Sequence, residues 1–158
     1  MKTKLWKTYA FWVLLAEAVG LLAGLLTRED IRLYSEVIAK PPLSPPAFVF
    51  PIVWTLLYAL MGIGAARVYL APASQARDRG LLLFLVQLAF NFCWSFIFFR
   101  FQAFDAAFVW LLALFVLVLG MTSAFRPVDP LASRLQIPYL LWLVFAGYLN
   151  AGVWLLNR

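Results

Sequence analysis

With 158 residues, 65% of them hydrophobic and only 13% charged, the chain has too little charge to wet the surface of an ordinary soluble domain, which carries roughly 25%. Its formal net charge of +6 comes from 13 Lys and Arg against 7 Asp and Glu, and the cations sit at the ends of apolar runs, which suits lipid headgroups and argues against nucleic acid as a partner. Histidine is absent and Cys93 is the single cysteine, which excludes Ser-His-Asp and Cys-His catalysis, His-ligated zinc, a proximal histidine for haem and any intrachain disulfide.

Five apolar runs follow one another at 9–26, 50–69, 81–99, 104–125 and 135–156, each about the length needed to cross roughly 30 Å of hydrocarbon. In lipid a segment must satisfy its own backbone polar groups, which an α-helix does. Runs such as Leu111 to Leu119 lack the alternation of a membrane barrel strand. The expected fold is therefore an all-α integral membrane bundle of five transmembrane helices, one domain over 1–158, with a long first loop acting as a lid.

The first run follows Lys2, Lys4 and Lys7; Glu17 interrupts it and no small-x-small site precedes Arg28, so it is read as a retained helix rather than a cleaved leader. Ala16, Gly20 and Gly24 form a small-residue stripe suited to a homodimer face or to packing inside the chain. Glu17 could face a cavity, pair with an arginine near a helix end, or remain neutral.

Residues 27–49 make the longest connection. Its first half is charged, and its second reads Lys40-Pro41-Pro42-Leu43-Ser44-Pro45-Pro46. Proline pairs fix φ and remove backbone donors, so this stretch is expected to be stiff and extended, as a spacer or as a lid built on Pro41, Pro42, Leu43, Pro45 and Pro46.

Further along, Trp54, Tyr58 and Met61 share a face of the second helix. Gln87, Asn91 and Ser95 share one on the third, and Tyr139, Trp142, Ala146 and Asn150 share one on the fifth. The fourth helix has almost nothing polar and reads as packing or lipid-facing surface. Polar groups at membrane depth are either interhelical glue or the lining of a cavity, and the aromatic rings on the same faces add weight to a cavity. Counting cations by side sets Lys2, Lys4, Lys7, Arg67, Arg77, Arg79, Arg126 and Arg134 against Arg28, Arg32, Lys40, Arg100 and Arg158. That excess favours a cytoplasmic N-terminus.

Several stretches resemble the TspO/MBR family of translocator and tryptophan-rich sensory proteins. They are Lys40 to Pro46, Phe50-Pro-Ile-Val-Trp-Thr-Leu-Leu-Tyr-Ala-Leu-Met-Gly62, Gln87-Leu-Ala-Phe-Asn91 with Trp94-Ser95, and Pro138-Tyr-Leu-Leu-Trp142 with Phe145-Ala146 and Leu149-Asn150. The resemblance implies a five-helix bundle, a homodimer, and a pocket under the first loop for porphyrins and synthetic aromatic ligands. It places ligand contacts at Trp54, Tyr58, Asn91, Trp94, Trp142, Phe145, Ala146 and Asn150. Leu43-Ser44 stands where the family usually carries Trp-Thr, and Ala151 follows Asn150 where the animal cholesterol motif has a tyrosine. The first departure removes an aromatic from the lid, and the second argues against cholesterol.

Three functions compete on this reading. The first is a receptor or translocator for tetrapyrroles, porphyrin or haem, needing no cofactor and no metal. The second is a light- and oxygen-dependent porphyrin-degrading enzyme working through Trp54 and Trp142, because no acid/base pair or activated nucleophile is present. The third is a ligand-sensing regulator acting through a partner.

Overall fold

The computed structural model describes residues 2–158, and no strand is present among them. The helices are α1 (Lys2–Leu26), α2 (Arg28–Val37), α3 (Val49–Leu70), α4 (Gln75–Ser95), α5 (Phe104–Phe125), α6 (Pro130–Arg134) and α7 (Ile137–Leu156), with a π-helical turn at Phe96–Arg100 after α4. Among the described residues, five spans are long and apolar enough to cross a membrane: α1, α3, α4 with its π turn, α5, and α6 with α7. This is a multi-pass integral membrane protein.

Local chemistry sets the helix ends. α4 starts at Gln75, ahead of its apolar run, because the Ser74 hydroxyl accepts from the Arg77 N–H at 3.1 Å and caps it. α6 is a single turn capped by Asp129, whose carboxylate accepts from the Ala132 N–H at 2.9 Å, with Pro130 in the first turn. It completes the last span, so that span begins at Pro130 rather than at 135. α1 extends back to Lys2, its exposed lysines marking the water-facing end.

The first connection differs most from the sequence expectation. Its charged half, where no helix is expected, is a ten-residue helix, α2. Glu29 and Asp30 lie in the helix's first turn, Arg32 pairs with Glu29 at 3.3 Å, and Tyr34 packs inward on Phe98 and Phe99 at 5.4 Å each. Acidic residues at a helix start and an i,i+3 ion pair both favour the helix. Nor does the proline stretch run straight. It turns at Pro42–Leu43, and Leu43 takes a positive φ of 67°.

Packing is concentrated where α1 meets α3, α4 meets α5, and α5 meets α7. A Cβ on Gly62 would overlap the backbone of Val13, so α1 and α3 cross at nearly backbone contact. The main core holds Met61, Phe84, Leu114, Met121, Phe125 and Tyr139, all fully buried. A smaller core of Phe98, Phe104, Ala107 and Val153 lies at the α2 end. Leu14, Leu21, Val109, Val116 and Leu141 stay about two-thirds exposed, an arrangement suited to acyl chains. α5 is the packing surface expected of the fourth run: its inner row from Phe104 to Phe125 is buried and its outer row is not.

Ion pairs tie the bundle ends. Arg67 reaches Asp129 at 2.8 Å. Burial pushes the Asp129 carboxyl up, but the Ala132 N–H and the Arg67 guanidinium outweigh it and hold the group below its ordinary value. At the other end Arg100 pairs with Asp30 at 3.2 Å and donates to the Leu26 carbonyl, joining the π turn to the α1–α2 junction.

Candidate functional site

The polar residues of the second, third and fifth spans meet, and they meet each other. Tyr58 of α3 donates its hydroxyl to Asn91 Oδ1 at 2.6 Å. Asn91 Nδ2 donates to the Tyr139 hydroxyl at 2.8 Å, and that hydroxyl donates to Gln87 Oε1 at 2.8 Å. Gln87 Nε2 reaches the Met61 sulfur at 3.6 Å. All five residues are buried. Nearer α2, Trp94 Nε1 donates to Asn150 Oδ1 at 3.2 Å, and Asn150 Nδ2 donates to the Phe104 carbonyl at 2.8 Å. Each of the three amides is thus engaged through both its oxygen and its nitrogen. Such bonds hold helices together at about 0.6 kcal/mol a pair. These amides thus bond across helices, the interhelical role that is one of the two readings open at the level of sequence.

A groove lies in front of this network. Val53, Leu56 and Leu60 of α3 face Leu141, Trp142 and Phe145 of α7 across a cleft of about 450 Å³, within the size range of small-molecule sites. Trp142 meets Trp54 edge-on at 6.4 Å, Phe50 at 5.9 Å and Phe145 at 5.5 Å, while Trp54 lies 5.5 Å from the Tyr58 ring and 6.2 Å from Tyr139. Behind an apolar cleft there is therefore an aromatic wall, and behind that wall the hydrogen-bonded amides.

Of the residues singled out in the sequence, Trp142 and Phe145 line the groove, Trp54 meets Trp142 edge-on beside them, and Tyr58 and Asn91 lie in the network behind. Trp94 and Asn150 join each other in a separate place, where Trp94 stacks on Phe98 at 4.8 Å. Ala146 is half-buried against the main core. Sequence reasoning missed Val53, Leu56, Leu60 and Leu141. A leucine lining a cleft and a leucine facing lipid are the same signal in a hydropathy pattern.

The proline loop is seated on the C-terminal end of α7. Pro41 is buried against Gly152, where an added Cβ would lie 2.5 Å from its ring. Tyr148 donates to the Pro42 carbonyl at 2.6 Å, and the Asn157 amide exchanges bonds of 3.0 and 2.8 Å with the backbone of Ala39. Lys40 sits over the Tyr34 ring at 5.1 Å, and burial pushes the Tyr34 phenol up to about 12. Pro45 is half-buried, whereas Pro46 is exposed and Leu43 is 83% exposed. The residue that departs from the family pattern points to solvent.

The small-residue stripe divides. Ala16 is fully buried and a Cβ on Gly20 would overlap the Tyr58 ring, so both serve packing of α1 on α3, whereas Gly24 has open space beside it. Glu17 is half-buried, three residues before Gly20, and no ion pair holds it among the described residues.

Comparison with known proteins bears on this geometry. The sequence model of the TspO/MBR family matches residues 12–155. The chain belongs to that family. The tryptophan-rich protein TspO of Chlorobaculum tepidum is 35% identical over 151 residues, which cover 95% of this chain and 96% of the relative. The Homo sapiens translocator protein is 37% identical over 144 residues, or 89% and 85% of the two chains. The CrtK protein of Rhodobacter capsulatus is 39% identical over 119 residues, or 75% and 74%. Members of the TspO/MBR family named for translocation and for tryptophan richness thus align with nearly the whole bundle, including α3 and α7.

Proposed function

We propose that this protein is a membrane receptor or translocator that takes porphyrins, and flat apolar molecules like them, into the groove between α3 and α7. The observation that carries the reading is the aromatic wall: Trp54 and Trp142, 6.4 Å apart, beside a cleft of about 450 Å³ lined by apolar side chains. Flat rings bind such walls by stacking and by burying area. The chain has no histidine, so affinity comes from stacking and apolar contact rather than from an axial ligand on a metal.

Titrating the purified protein with protoporphyrin while following tryptophan quenching tests this. Trp142→Ala removes a wall residue and is expected to weaken binding by 1–2 kcal/mol, about tenfold or somewhat more. Asn150→Ala, outside the groove lining, is expected to leave affinity nearly unchanged. Haem and metal-free porphyrin should bind alike. Haem binding far more tightly, with an axial-ligand spectrum, would overturn the reading.

A further inference from the structure

We infer that the ligand reaches this groove sideways out of the lipid, between α3 and α7, while the proline loop stays closed. The inference rests on the porphyrin-binding reading above and concerns its route. The groove is lined by α3 and α7 alone, and further protein flanks it on three sides. At its base Gln136 Nε2 donates to the Leu60 and Ala132 carbonyls at 3.4 and 3.1 Å, and the amide fills the space beside Gly64. The back is the network from Tyr58 through Asn91 and Tyr139 to Gln87, with Trp54 in front of it. Across the top, the chain from Pro42 to Val49 carries the loop from its seat on α7 to the start of α3. Opening that end to water requires unseating Pro41 from Gly152, breaking the Tyr148–Pro42 bond and breaking both Asn157–Ala39 bonds.

The fourth side is open. Leu56 and Leu141 form its lips, at 60% and 66% exposed, and both lie within membrane spans. What fills that opening in a bilayer is acyl chain, which a flat apolar molecule dissolved in the same leaflet displaces at little cost. Side-chain rotation at exposed leucines takes nanoseconds or less, whereas lid opening takes microseconds or longer. The lateral path therefore needs only the faster of the two motions.

Locking the loop tests the route. In a Cys93→Ser background, Pro41→Cys and Gly152→Cys place two thiols where the Cβ atoms would start 2.5 Å apart, so a small outward relaxation reaches the usual disulfide spacing of about 3.8 Å. With the protein in vesicles and protoporphyrin as probe, oxidised and reduced forms are expected to associate at the same rate. A loss of about tenfold or more on oxidation, reversed by reductant, would show entry from water past the loop and overturn the route while leaving the site intact. If neither form nor the unmodified protein quenches, the binding reading falls and the route falls with it. Should the cysteine pair itself disturb the site, Leu56→Phe with Leu141→Phe decides. Narrowing the lips is expected to slow association and dissociation together by about tenfold, and unchanged rates would overturn the proposal.

Discussion

One hydroxyl, that of Tyr139, accepts from Asn91 and donates to Gln87, and so fastens α7 to α4 at two points. Tyr139→Phe keeps the ring's packing and removes both bonds, leaving the Asn91 Nδ2 and Gln87 Oε1 atoms buried without partners. A neutral bond is worth about 0.6 kcal/mol between helices in lipid, and an abandoned buried group costs about 1–3 kcal/mol in a soluble core. The two scales bracket an expected loss of about 1–2 kcal/mol, read as a lower unfolding midpoint in detergent, with porphyrin affinity little changed. Strongly weakened binding at unaltered stability would instead make the network part of the ligand site. The sequence spacing correctly put Gln87 and Asn91 on one face with Tyr58 and Tyr139 as candidates opposite. It left glue and cavity open, because the same side chains at the same depth serve either, and only the distances between helices distinguish them.

At the scale of single elements, the pairing of α1 with α3 is decided by where glycine sits. Gly62 admits the backbone of Val13, and Gly20 admits the Tyr58 ring. Gly62→Ala drives a methyl group into backbone, which cannot rotate away, so the helices must separate; the expected cost is about 1–3 kcal/mol. Gly24→Ala is the matched control. Nothing lies within 4 Å of its added Cβ, and alanine's better helix propensity makes it neutral or slightly stabilising, by up to about 1 kcal/mol. Thermal unfolding of the two variants side by side measures the difference, and equal midpoints would remove the close crossing from the account. The stripe was visible in the sequence, but the partner was not, since a small residue says only that something comes near. α2 was missed for a related reason. Two proline pairs downstream and a dense run of charge read as a linker, while the helix depends on Tyr34 finding Phe98 and Phe99 some sixty residues away.

For the molecule as a whole, five apolar runs were enough to fix the number of spans, because lipid allows so few backbone solutions. The groove is a different kind of property. It exists because α3 and α7 lean on other helices more than on each other, which no single segment encodes. Its chemistry sets which part of a ligand it can hold. The lining is aliphatic and aromatic, the Asn91 and Gln87 amides behind it are already engaged through Tyr139, and no Lys or Arg lines it. A propionate carried into that cleft would lose its hydration with no cation to receive it, at several kcal/mol per charge. On the proposed porphyrin reading, the macrocycle's carboxylates project out of the groove, towards the headgroup layer, while the apolar rings enter. Esterifying both carboxylates removes that constraint. Protoporphyrin dimethyl ester is accordingly expected to bind at least as tightly as the diacid when concentrations are expressed per lipid, so that partitioning into the bilayer is held equal. Competition of the two forms for the same quenching signal makes the measurement. A diacid that binds more than about tenfold better would mean that a cation recognises it, and the aromatic wall between α3 and α7 would no longer account for affinity.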